Sequence, residues 1–295
     1  MVGAPQGQKV MKLFVTGAGG QLGHELVDAI RVAGHEAIAT THAQLDITDE
    51  EAVRIAIGSA KPDVVIHAAA WTAVDACEGD VAKAMLVNGT ASQYVADAAH
   101  AVGARVVYIS TDYVFDGSKP TPYNEDDAPN PQSSYGASKL AGERAMGADD
   151  AIVRISWVCG FHGANMVKTI LKLGATMPEL KFVDDQIGNP TFADDAAKAI
   201  VHIATSGLGG VWHVTNQGVV SWYEFAREVL LTAGMDATKV KPISTSDLQP
   251  PRPAQRPANS VLHNGRMIAE GVALLPDFRE PLARLVRQLL VETGE

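Results

Sequence analysis

The chain has 295 residues, 46% hydrophobic and 20% charged, a balance that can bury a sizeable core and excludes a largely disordered protein. Its 34 acidic residues outnumber 24 Lys plus Arg; the net charge of -10 argues against a nucleic-acid partner but leaves room for a small anion in a local basic pocket. No apolar run is long enough to cross a bilayer, "MVGAPQGQKV" lacks the apolar stretch of a secretory signal, and Cys77 and Cys159 are too few for a disulfide framework or a thiolate metal site, so a cytoplasmic protein without membrane partners is expected.

Residues 1–10 read as a disordered extension. "KLFVTG" (12–17) is an apolar strand that runs into "TGAGGQLG" and then into a helical pattern over 20–33. Gly17, Gly20 and Gly23 recur every third residue where strand turns into helix, which lets the backbone approach a pyrophosphate at the positive helix end. A second strand, "EAIAT" (36–40), ends at Thr40-Thr41-His42, with no acidic residue to claim a ribose 2'-hydroxyl. NADPH is therefore the expected cofactor, with NADH tolerated. In "LDIT" (45–48), Asp46 either accepts a hydrogen bond from the adenine amino group or caps the helix predicted over 49–59. Thr48 and Glu51 are the better match to a capping box for that helix.

"DVVIHAA" (63–69), a helix over 81–102, "RVVYIS" (105–110), a helix over 135–146 and "AIVRIS" (151–156) complete the alternation. Continuous apolar strands separated by helices predict an α/β fold, a Rossmann-type doubly wound parallel sheet whose crevice opens at the carboxyl ends of the strands. Residues 11–160 form the expected dinucleotide-binding domain, with some later segments returning to it. Residues 161–295 are assigned mainly to a smaller C-terminal substrate-binding lobe. Its predicted helices (194–204 and 221–233) and strand (210–214) are interleaved with the Pro-containing stretches "DDQIGNPTF" and "SDLQPPRPAQRPANS".

The chemistry concentrates in two stretches. "STDYVFDG" (110–117) breaks the apolar pattern where the fourth strand meets the crevice, and both Ser110 and Thr111 are expected to face a bound cofactor and ketone. In "YGASK", Tyr135 and Lys139 stand four apart on one helix face, so the ammonium would lower the phenol's pKa and make it a proton donor. An ordinary turn and a solvated surface pair are the alternatives to these readings.

Taken with "HAAAWTAVD", "VNGTASQYVADAA", "RISWVCG", "DDQIGNPTF" and "RPANSVL", these motifs resemble the dTDP-4-dehydrorhamnose reductases, extended short-chain dehydrogenase/reductases, over nearly the whole chain from Met11. The resemblance implies NAD(P)H-dependent reduction of the 4-keto group of a dTDP-linked 6-deoxy sugar by a monomer or homodimer. It places the catalytic group on Thr111, Tyr135 and Lys139. Cofactor contacts fall on Gly20, Gln21, Leu22, Thr40, Asp46, Ile47, Ala68, Ala69, Ala70 and Thr72. Substrate contacts fall on Thr111, Asp112 and Trp157, with Asn165, Arg252 and Arg256 as candidates for the diphosphate. Some members bind Mg2+ through acidic side chains; here Glu25 and Asp194 match two positions, but Gln288 replaces a third carboxylate, so no metal site is assigned. Cys159 stands where an aromatic residue is common. The alternatives are a reductase of another nucleotide-linked 4-keto sugar, a 4,6-dehydratase, and a regulatory protein similar to the methionine adenosyltransferase β subunit. Tyr113, where a dehydratase has Glu, argues against the second, and the intact catalytic trio against the third.

Overall fold

The computed structural model describes residues 9–293. The expected extension lies outside the described residues apart from its last two, where Lys9 pairs with Asp63 at 2.9 Å. The central sheet contains β1 (Lys12–Thr16), β2 (Glu36–Thr40), β3 (Val64–His67), β4 (Arg105–Thr111), β5 (Ala151–Ile155) and β6 (Gly210–His213). All neighbours run parallel in the order β2-β1-β3-β4-β5-β6. The direction of strand addition reverses between β1 and β3, and such a reversal opens a crevice at the carboxyl edge.

The first half of the chain carries α1 (Gln21–Val32), α2 (Glu50–Ala60), α3 (Val74–Gly79), α4 (Val81–Ala84), α5 (Ala91–Ala101) and α6 (Ser134–Glu143). The second carries α7 (Met166–Thr176), α8 (Ala193–Thr205), α9 (Trp222–Thr232), α10 (Gly265–Ala269) and α11 (Arg279–Thr293). Strand alternation sorts the core into two layers. Leu13 and Val15 pack with Leu26 of α1 and Ile200 of α8 on one face. Phe14 and Val65 pack with Ile57 of α2 and Val95 of α5 on the other. A further cluster, with Ile170 of α7, Phe225 and Val229 of α9 and Leu282 of α11, forms the core of the smaller lobe. There the strand Leu180–Val183 pairs parallel with Val240–Ile243.

Several local expectations are corrected. The predicted helix over 81–102 is broken by a π-helical turn, Met85–Thr90, and α3 precedes it unpredicted. The Thr48/Glu51 capping box does not form. Asp49 caps α2 by accepting the Ala52 amide, Thr48 gives its amide and hydroxyl to Asp46, and Glu51 pairs with Arg54. The strand predicted at 210–214 belongs to the main sheet beside β5, and α8 packs on α1.

Candidate active site

The turn after β1 is shaped by close approach. Gly17 has φ +69°, and a Cβ on it would stand 2.7 Å from the Ala69 backbone. A Cβ on Gly23 would stand 2.2 Å from the Gly17 carbonyl oxygen. The loop can therefore be pinched between the end of β3 and the first turn of α1 only without side chains. Gly20 begins α1 with no capping side chain and no acidic residue in the first turn, so the positive helix end is left for an anion.

This turn borders a cleft of ≈ 830 Å³. Gly17 and Gly20 line it, with Asp46 and Ile47 from beyond β2 and Ala68, Ala69 and Ala70 from beyond β3. Asp46 also accepts the Thr48 amide at 2.9 Å and hydroxyl at 2.8 Å, bonds that lower its pKa. Its carboxylate thus stiffens the loop while standing in the cleft wall. Other expected contacts stand behind that wall. Leu22 is buried in the core, Gln21 Nε2 donates to the Val158 carbonyl at 3.0 Å, and the Thr40 hydroxyl donates to the Val15 carbonyl at 3.1 Å. Thr41 and His42, not Thr40, reach the cleft, and Thr72 is exposed beyond Ala70. Lys83 is the cation missed by sequence reasoning: it lines the cleft from α4, its ammonium 4.5 Å from the Trp71 ring centre. Only the fold brings a helix placed after β3 back over this opening.

Thr111 ends β4, next to β3 in the sheet. Its hydroxyl donates to Asp112 Oδ1 at 2.9 Å, accepts the Tyr113 amide at 3.2 Å and stands near enough to the Tyr135 phenol to act on its pKa. Tyr135 is at the start of α6, packed edge-on against Tyr113 with ring centres 5.5 Å apart. Lys139, one turn on, is 2% exposed and holds its Nζ 4.1 Å from the centre of the Tyr108 ring. Thr111 and Tyr135 are therefore neighbours, and Lys139 follows one turn along the same helix with its ammonium over Tyr108. Ser110 is close by but committed elsewhere: its hydroxyl donates at 2.5 Å to Glu143 Oε1, one turn beyond Lys139 on α6.

Burial dominates the electrostatics. It pushes the Lys139 ammonium down to about 7, partly opposed by the Glu143 carboxylate. It also pushes the Tyr135 phenol up, with only the Thr111 hydrogen bond acting the other way. The expected lowering of the phenol by Lys139 is thus absent: desolvation of the would-be phenolate is the largest cause, Asp112, Tyr113 and Cys77 add to it, and Lys139 is not among the groups that act on it. Asp112 is raised to about 6, again by burial, against the Thr111 hydrogen bond and the nearby Ser260 hydroxyl; its Oδ2 has no hydrogen-bond partner. Tyr113 is raised to about 12 by burial.

A buried network positions this group. Asn88, in the π turn, accepts the Trp71 amide at 2.8 Å and donates to the Trp71 carbonyl and to Ser138 Oγ, both at 3.0 Å. Its carbonyl receives Tyr108 Oη at 3.1 Å and Ser92 Oγ at 2.8 Å. Ser138 in turn donates to the Tyr135 carbonyl at 2.7 Å. The π turn thus carries Asn88 between the cleft-lining Trp71 segment and the catalytic helix.

The substrate candidates divide. Trp157 is half-buried with φ +46° and stacks on Trp222. Arg256 grips Asp75 of α3 through two nitrogens and also donates to the Ala254 carbonyl at 2.7 Å. Arg252 touches Asp75 only at 3.4 Å and is 57% exposed, which leaves its guanidinium the more available. Asn165 caps α7 and donates to Gln21 Oε1 at 2.8 Å and the Gly160 carbonyl at 2.7 Å, so its amide is committed to structure. Cys159 is buried, its thiol donating to the Trp157 carbonyl at 3.5 Å. Glu25 is raised by burial and by nearby Asp194, but Asp194 already pairs with Arg284 at 2.7 Å and Gln288 is exposed. These residues do not fit a divalent cation.

Comparison with known proteins agrees in extent. The family described as the RmlD substrate binding domain matches residues 11–291. A dTDP-4-dehydrorhamnose reductase of Burkholderia thailandensis is 40% identical over 299 residues, covering 95% of this chain and 99% of that protein. The spore coat polysaccharide biosynthesis protein SpsK of Bacillus subtilis is 42% identical over 280 residues, covering 94% and 97%. The crystal structure of dTDP-4-dehydrorhamnose reductase from Bacillus anthracis in complex with NADP superposes with a TM-score of 0.90 at 36% identity, covering 95% of this chain and 100% of that one.

Proposed function

The chain belongs to the dTDP-4-dehydrorhamnose reductase family, and on that premise we propose that it reduces the 4-keto group of dTDP-4-dehydro-L-rhamnose to give dTDP-L-rhamnose, using NADPH and tolerating NADH. The observation that supports this reading best is a nucleotide-sized cleft with a bare helix N-terminus, in a fold that brings Tyr135 of α6 against Thr111 at the end of β4 with Lys139 one turn on.

Gly17, Gly20, Asp46, Ala68, Ala69 and Ala70 line the cleft that would hold the cofactor, which when bound would supply the hydride for carbon 4. Tyr135 transfers its phenolic proton to the carbonyl oxygen as charge develops there. Thr111 exchanges its bond to Asp112 for one to the same oxygen. Lys139 binds the cofactor ribose and holds positive charge near the phenol. Gly17, Gly20 and the amides of Gln21, Leu22 and Gly23 receive the pyrophosphate; Asp46, Ile47, Ala68, Ala69, Ala70 and Thr72 border the rest of the cofactor, with Thr40 behind them. Asp112 and Trp157 contact the sugar and Arg252 the diphosphate, flanked by the anchored Arg256 and Asn165. Tyr113, held protonated by burial, offers no base for elimination, which separates this site from a dehydratase.

Among the described residues no helix is long and apolar enough to cross a membrane, and we place the reaction in the cytoplasm. Light scattering of the purified protein decides between monomer and homodimer. The activity is tested by NADPH oxidation with the 4-keto sugar nucleotide generated in situ; folded protein that consumes neither NADPH nor NADH would overturn the proposal.

A further inference from the structure

We propose that Trp222 is a positioning residue for the sugar ring of the substrate, acting through Trp157; this rests on the reading above that Trp157 contacts the sugar. The two indoles stack with ring centres 3.7 Å apart and planes 8° from parallel. The Trp157 backbone lies at φ +46°, where bulky residues are rarely found, so its local chain geometry does not hold the ring in place by itself. Its neighbours do. Besides Trp222, Phe225 stands edge-on at 6.5 Å, and Gly188 is so close that a Cβ on it would come within 2.7 Å of the indole Cε2.

Gly188 and Trp222 sit on one seam of the smaller lobe. Val220 pairs with Gly188 and Ser221 with Ile187 in an antiparallel bridge. Ser221 then caps α9, accepting the Glu224 amide at 3.0 Å and donating to Asp184 at 2.5 Å. The seam also faces the reacting end. A Cβ on Gly188 would stand 2.7 Å from Ser260 Oγ, whose hydroxyl donates to the Ile187 carbonyl at 3.2 Å and stands near enough to Asp112, beside Thr111, to lower its pKa. Trp157 and Asp112 thus border the same space, and the Trp222 stack sets where its aromatic wall stands. Trp222 is a geometric element of sugar recognition with no part in proton or hydride transfer.

The test uses the full chain saturated with NADP+. Calorimetry gives the Kd of dTDP and of dTDP-L-rhamnose, and their ratio isolates the contribution of the sugar. Trp222→Ala is expected to shrink that ratio about tenfold, the scale of one aromatic stack, with the Kd of dTDP and of NADPH within about twofold of the parent. Trp222→Phe should keep most of the ratio and Trp222→Leu little of it, an order that holds the proposal to account even if the alanine variant does not fold. The KM for the keto sugar should rise about tenfold in the alanine variant while kcat stays within about threefold. A folded variant with the parental ratio, or one that loses dTDP and NADPH affinity equally, overturns the positioning role alone. A parent protein that binds dTDP-L-rhamnose no better than dTDP overturns the sugar assignment of Trp157 and this inference with it.

Discussion

Glu143 of α6 and Arg154 of β5 form an ion pair whose side chains are only 5% and 4% exposed. Arg154 Nε donates to Glu143 Oε1 at 2.9 Å and its Nη2 to Oε2 at 2.7 Å, while Ser110 adds a third donor. Glu143→Gln keeps the shape and removes the charge. The guanidinium cannot release its proton, and its Nη1 already lacks a partner, so the variant buries an uncompensated cation. Breaking a buried pair in this way costs about 3–5 kcal/mol. With an unfolding entropy of about 2.1 cal/mol/K per residue, a chain of this size is expected to melt roughly 5–8 °C lower by scanning calorimetry. The double variant Glu143→Leu, Arg154→Met removes both charges and should recover most of that loss. A Glu143→Gln melt within about 2 °C of the parent, or a double variant less stable than the single one, would refute the reasoning.

Tyr135→Phe should lower turnover by at least about 100-fold with little change in NADPH affinity measured by fluorescence titration; parental turnover removes Tyr135 from the proton-donor role. Lys139 is needed as a cation, and burial brings its folded pKa from 10.5 to about 7, so kcat/KM should fall as pH rises through about 7. A profile flat to about pH 9 contradicts that requirement. Asp112 behaves oppositely to a salt-bridged carboxylate: its folded pKa of about 6 lies above its ordinary 3.8, so stability is lost as pH rises between those values and the penalty stands in full above about 6. Asp112→Asn should therefore raise stability by up to about 3 kcal/mol near pH 8 and leave it unchanged near pH 4, with lower turnover. Urea unfolding at the two pH values checks this, and equal effects at both would contradict it.

The strands were legible because both faces are buried, which leaves uninterrupted apolar runs such as "VVIH" and "RVVYI" with sharp polar ends. The catalytic helix was legible because four-residue spacing puts Tyr135 and Lys139 on one face. Other features depend on which element packs where. Periodicity alone did not reveal the π turn, whose extra residue carries Asn88 toward Trp71 and Ser138. Ser110 reads as a ketone contact in the sequence, whereas its hydroxyl is taken up by Glu143, a partner 33 residues away that no local pattern announces. The sign of the Tyr135 shift was misjudged because neighbour charge is visible in a sequence and the depth of burial is not. Lys83 gave no signal, since only folding brings α4 over the cleft.

The place of β6 bears on how the chain is made. Its pairing with β5, together with the packing of α8 on α1, gives the first-half sheet a border supplied by the second half. A nascent chain ending near residue 160 would expose β5 as an open edge and leave the apolar stripe of α1 without its cover. That fragment should be a poor candidate for expression on its own and a natural client for chaperones, held until residues 193–213 leave the ribosome. The nucleotide cleft is drawn mostly from early residues, yet it can be rigid only after the late ones have arrived.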